Sequence, residues 1–251
     1  MSDAQANQND DAMTLDAPGS IAVIGGGVLG VEAALYGRFL GYDVTLIEAK
    51  AIGHSMSDAS DEPLPMLPDR CLSPLAKQAL EAHFGSEALD HLPLTLGEWA
   101  ANVLVPLTQT DLFRGRVRLH TQVTRIDTVP MDESGPVGDQ PEGSSDEPET
   151  DEEVPPDFRL TLESSGVWQN SSVEPESLDV EAVILAIGPS AELDVGFELP
   201  APYFHQIGGD ASRPEGGTAE EHLVAGLQEI VAIFAGFAGR DQLDLYRPRR
   251  G

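Results

Sequence analysis

The chain has 251 residues with a formal charge of −29, from 43 acids against 14 bases. That balance excludes nucleic acid as a partner, because phosphate binding needs a basic surface. The hydrophobic fraction of 41% supports a packed core, and no apolar run reaches the roughly 18 residues of a membrane span. Cys71 is the single cysteine, so no intramolecular disulfide, cysteine redox pair or cysteine-ligated cluster is available.

Residues 1–19 are acidic and lack the positive start and apolar stretch of a signal peptide, and they read as a disordered tail. A cytoplasmic location is the resulting expectation. Ile21 to Ile24 reads as a short apolar strand, and Gly27 to Gly41 as a helix with Val28, Val31, Ala34, Leu35 and Phe39 roughly on one side. Gly41 ends that helix. Val44, Leu46 and Ile47 form a second buried strand, parallel to the first through a right-handed crossover.

Residues 51–68 read as loop, Leu72 to Phe84 as helix, and Thr95 to Leu112 as a second helix with Trp99, Val103, Leu104 and Leu107 on its apolar side. Together 51–115 form a helical insertion. Alternation marks strands in Arg116 to Thr128, through Val117, Leu119, Val123 and Ile126, and again in Phe158 to Glu163. Between them, 131–157 holds 11 acids, no base, and much Pro, Gly and Ser, which predicts a solvated, disordered insertion. A docking segment for a basic partner is its alternative reading. Glu181 to Ile187 is a continuous apolar run, hence a fully buried strand. Tyr203 to Ile207 is a candidate strand, Ala219 to Phe237 a long helix, and 246–251 a C-terminal tail.

The chemistry concentrates in Gly25, Gly26 and Gly27, with Gly30 following. Gly25 permits the tight turn out of the strand. Gly27 lets backbone approach a pyrophosphate, and Gly30 lets the helix pack close to the sheet. The helix N-terminus favours negative charge. Glu48, 18 residues after Gly30, is placed to accept hydrogen bonds from ribose hydroxyls and to repel a 2′-phosphate. Strand, turn, helix and acid in this order predict a dinucleotide site.

Two later stretches extend the pattern. "VILAIGP", Val183 to Pro189, and "YFHQIGGDA", Tyr203 to Ala211, resemble the A-T-G and late G-D motifs of two-dinucleotide flavoproteins, the FAD-dependent pyridine nucleotide oxidoreductases that include disulfide reductases and flavin monooxygenases. Ile187 stands where that family usually has Thr. The resemblance implies a Rossmann-like FAD/NAD(P)-binding α/β fold over 20–245, with a parallel sheet and a β-meander. It implies that Asp210 contacts the flavin's ribityl or pyrophosphate region, with Gly188 and Gly209 beside it. It implies that Val123 backs the adenine, and that the last helix aims its N-terminus at the flavin ring. Family members that oxidise NAD(P)H carry a second glycine fingerprint after the A-T-G strand. The short stretch between Gly188 and Tyr203 leaves no room for one.

The cofactor expected is FAD, with NAD as the alternative. The expected function is an FAD-dependent oxidoreductase acting on a small molecule or a redox protein, lacking the second nucleotide domain. The alternative is a non-catalytic NAD- or FAD-binding module or subunit. The six histidines do not pair at metal-ligand spacing, so no metal site is expected. His205, Arg70 and Cys71 are weighed as chemical groups, and none is assigned a catalytic role.

Overall fold

The computed structural model describes residues 19–129, 157–164, 175–188, 193–209 and 214–247. All but the last residue of the acidic tail expected over 1–19, and all but the last of the acidic insertion expected over 131–157, lie outside the described residues. So do Asp210 and residues 248–251.

β1 (Ser20–Ile24) and β2 (Asp43–Ile47) flank α1 (Val28–Leu40), and the two strands pair in parallel. The helix starts at Gly27 and ends at Gly41, whose φ of 94° is the left-handed conformation that closes helices. β3 (Val117–Arg118) adds to β2, β7 (Ala182–Leu185) to β1, and β9 (Phe204–Gln206) to β7. The result is a five-stranded, all-parallel sheet of order β3-β2-β1-β7-β9.

Alternate residues of this sheet feed two different cores, as the two-residue period of a strand requires. Ile21, Val23, Val44, Leu46, Ala182 and Ile184 face the helices. Ala22, Ile24, Ile47, Val183 and Leu185 face a second sheet. Both faces being covered, β1 and β7 read as continuous apolar runs.

The second sheet is a meander of β4 (Thr121–Val129), β5 (Asp157–Ser164) and β6 (Glu176–Val180), each antiparallel to the next. β8 (Asp194–Val195) joins β4 in parallel. Phe158, Leu160 and Leu162 alternate inward from β5, while Arg159 faces out and pairs with Asp179. Leu119, expected among the inward residues, is 42% exposed, because it falls in the break between β3 and β4.

On the helical side, α5 (Ala219–Phe237) lies along α1. Gly37 makes this approach possible: a Cβ there would lie 2.9 Å from the Phe234 ring. The Tyr36 and Phe234 rings stack with centroids 5.2 Å apart. α2 (Pro74–Phe84) covers another side of α1. α1 is consequently buried over Gly30–Gly37, including Glu32, rather than along one stripe.

The expected helix over 95–112 is three pieces in one run. α3 (Leu96–Trp99) passes through a π turn at Ala100–Leu104 into α4 (Val105–Gln109). The extra residue of the π turn accommodates Pro106, which cannot donate a helical hydrogen bond. The 51–68 stretch is not purely loop. His54–Ala59 forms a 3-10 helix and Pro63 bridges Thr95.

Candidate functional site

The C-terminal ends of the parallel strands open on a cleft of about 740 Å³. Ligands of α/β sheets bind outside the carboxyl ends of strands, where the connections diverge. Gly25, Gly26, Gly27, Glu48, Val123 and Gly188 all line this cleft.

Each glycine of the turn has a separate steric reason. Gly25 has φ +113°, and a Cβ there would lie 2.5 Å from the Ala186 carbonyl oxygen. A Cβ on Gly30 would run into the Gly25 carbonyl oxygen, so Gly30 serves packing and stands outside the cleft wall. Gly27 differs. Nothing lies within 4 Å of its would-be Cβ, and its open side belongs to the cleft. No side chain caps α1, and its first turn carries no acid, so its N–H groups keep their anion-attracting character.

Glu48 stands one residue beyond β2. Its carboxylate accepts the Gly26 N–H at 2.6 Å and the Lys50 N–H at 2.8 Å. Beside it, the Lys50 ammonium lies 3.0 Å from His54 Nε2, and both residues line the cleft with Ser55. As the ammonium only donates, this nitrogen of His54 accepts.

Val123 enters from β4 with Thr121 and Gln122. The pairing of β4 with β5 shifts register between Val123 and Arg125, a bulge that turns the strand at the cleft. On the other side, Gly188 has φ +74°. Gly208 reaches the cleft wall, whereas Gly209 does not. A Cβ on Gly208 would lie 2.7 Å from Leu29 of α1, so this loop folds back against the start of the glycine helix. Asp210 lies outside the described residues.

Sequence reading missed Lys50, His54, Ser55 and Leu29 as cleft residues. For Lys50 and His54 a signal existed: two basic-type side chains two and six residues after Glu48 in a strongly acidic chain. The expected aim of α5 at the site is not seen. Thr218 and Glu221 form a capping box that satisfies the Thr218 and Glu221 N–H groups, and Glu220 pairs with Arg70 at 3.1 Å. None of residues 218–221 lines the cleft. His205 packs on Phe237, with ring centroids 5.3 Å apart, and burial lowers its pKa. Cys71 is buried, donates to the Pro68 carbonyl, and has its thiol pushed up to about 11 by desolvation. It is not a reactive thiolate.

Fold and cleft together define a Rossmann-like α/β domain of the FAD/NAD(P)-binding class. The chain resembles the FAD-dependent pyridine nucleotide oxidoreductases: residues 3–63, which carry the glycine turn and Glu48, match the family of pyridine nucleotide-disulphide oxidoreductases. No curated protein matches the chain in sequence. Among solved structures it is similar to OTEMO in complex with FAD and NADP, at 19% identity over 71% of this chain and 27% of that one, with a TM-score of 0.38. A bacillithiol disulfide reductase from Bacillus cereus matches at 15% identity over 74% of this chain and 46% of that one, TM-score 0.42. An S-allyl-L-cysteine S-oxygenase from Allium sativum matches at 12% identity over 69% and 37%, TM-score 0.36. The chain thus spans less than half the length of each of these structures. No helix among the described residues is long and apolar enough to cross a membrane.

Proposed function

We propose that residues 20–245 act as one FAD-binding domain of an oxidoreductase that works on a small molecule or a redox protein. One observation carries this reading: the Gly25–Gly27 turn, Glu48 and Gly208 share a single cleft. Ile47, Ile24, Leu185 and Gln206 are aligned across four neighbouring strands. Glu48 and Gly208 therefore stand about three strand spacings apart, roughly 14 Å. A dinucleotide bridges such a span and a lone nucleoside does not.

The residues present fit the group. Glu48 would accept from the ribose hydroxyls, with Val123 behind the adenine. The open face of Gly27 and the uncapped start of α1 would take the pyrophosphate. Gly188 and Gly208 would border the flavin side. FAD, when bound, supplies hydride or electron transfer at its isoalloxazine ring, and the protein contributes binding, orientation and access. No side chain is assigned to catalysis.

A non-catalytic FAD- or NAD-binding module is the second reading. The start of α5 favours it, because none of residues 218–221 lines the cleft and the Thr218 and Glu221 N–H groups are bonded within their own capping box. The deciding experiment is the visible spectrum of the purified protein before and after FAD addition, followed by anaerobic NADH. Flavin bands that bleach with NADH support the oxidoreductase. Bands that persist support the module. A protein that stays colourless yet binds NAD by calorimetry overturns the FAD reading.

A further inference from the structure

We propose that Glu229, on α5, is a positioning residue that holds the Gly208 turn across the cleft and thereby selects a full flavin dinucleotide over its adenosine half. The inference rests on the FAD reading above. Glu229 Oε2 accepts the Gly208 backbone N–H at 2.9 Å, across 21 residues of chain. Gly208 has φ +66°, which glycine adopts without strain, and glycine is also the least restrained residue, so a hydrogen bond and a packed side chain are what fix the turn in one place. Leu29 supplies the other side of that hold. A Cβ on Gly226 would lie 2.5 Å from Leu29, and one on Gly208 2.7 Å from it. Gly226 and Glu229 are three apart on α5 and share a face. The turn is thus clamped between the α1 side chain that lines the cleft and an α5 carboxylate that accepts its amide.

Glu229 is half-buried near a site built for an anion, which is a poor place for a carboxylate unless it has a bonding task. Its effect is confined to one end of the ligand. Adenosine and pyrophosphate groups engage Glu48 and the Gly25–Gly27 turn, whereas Gly208 lies beyond β9, on the far side of the strand order from Glu48. Loosening the turn should weaken FAD and leave ADP untouched.

The test is calorimetric titration of the full chain with FAD and with ADP, for wild type, E229A and E229Q. Alanine is the best helix former, so E229A keeps α5, and glutamine keeps an oxygen that accepts the amide. The expected result is a wild type that prefers FAD, and an E229A protein whose preference shrinks at least about tenfold with ADP affinity unchanged. E229Q should keep the preference or bind FAD more tightly, having lost the negative charge. An E229A protein with the wild-type preference overturns the proposal. So does equal loss of ADP and FAD, which would mean a general disturbance of the α1–α5 contact, and so does E229Q falling with E229A. A wild type with no preference for FAD over ADP overturns the cofactor reading and this inference together, a result distinct from the other three.

Discussion

The Glu48 carboxylate and the Gly26 amide form one unit: the acid at the end of β2 accepts the N–H of the turn at the end of β1, at 2.6 Å. On the proposed function, ribose recognition and pyrophosphate recognition would be mechanically joined. A Cβ on Gly26 would lie 2.9 Å from the Glu48 Cγ, so the contact is as tight in packing as in hydrogen bonding. E48A should lower ADP affinity by at least about tenfold and also reduce the melting temperature, since two backbone N–H groups lose a charged acceptor worth about 1.5–3 kcal/mol. E48Q should recover most of the stability and less of the affinity. Calorimetry and thermal denaturation separate the two effects.

The glycines of the turn should divide into two groups on mutation. G27A places a Cβ in open cleft space at φ −77°, so the protein should fold with an unchanged melting temperature and lose ligand affinity. G30A drives a Cβ into the Gly25 carbonyl and should fail to fold or melt far lower. Soluble yield with an ADP titration distinguishes them. Equal behaviour of the two variants would contradict the geometry.

Glu32 predicts a pH dependence. It sits in α1, 4% exposed, where desolvation pushes its pKa up from 4.5 to about 7 against the opposing hydrogen bonds of Ser73 and Tyr246. The Tyr246 hydroxyl donates to it at 3.2 Å, and Leu245 N–H donates to the Tyr36 hydroxyl at 3.0 Å, which docks the start of the expected C-terminal tail on α1. Asp244 adds negative charge beside Tyr246 and Tyr36, and no base contributes at Glu32. In the unfolded chain Glu32 releases its proton near 4.5, and in the folded chain near 7. The folded state thus holds the extra proton between these values, and stability falls as pH rises through that window, then levels. The full difference is about 3 kcal/mol. E32Q should remove this slope and exceed wild type in stability at pH 8. Urea denaturation at pH 5 and pH 8 measures it as the difference between the two proteins, which cancels the titration of the other acids.

Phe234 tests the α1–α5 contact. It is fully buried, stacked on Tyr36, and in contact with the rings of Tyr42 and Phe237. F234A should cost about 3–5 kcal/mol. Because α5 carries Glu229, FAD affinity should fall with it, whereas a surface change such as V224A should alter neither. Denaturant midpoints and FAD titration provide the check.

Local chemistry decided much of this molecule. Glycine spacing, two apolar strands and an acid at the right distance made the β1–α1–β2 turn legible. The unbroken apolar run of β7 announced a strand covered on both faces, and α5 was readable to its ends from its helical period. These features rest on interactions within a few residues, which the order of residues specifies. Glu32 was not legible, because its burial comes from α2 and the C-terminal segment closing over a helix whose own pattern showed only one apolar side. The exchange of Gly208 for Gly209 at the cleft wall, and the pairing of Lys50 with His54, were likewise hidden. Those depend on where Leu29, Glu229 and the first turn after β2 arrive in space. Sequence by itself determined most of the long elements and where the glycine turn lies. Only the tertiary structure decided which side chains meet at the cleft, since hydrogen bonds and packing between distant segments exist only once all layers are in place.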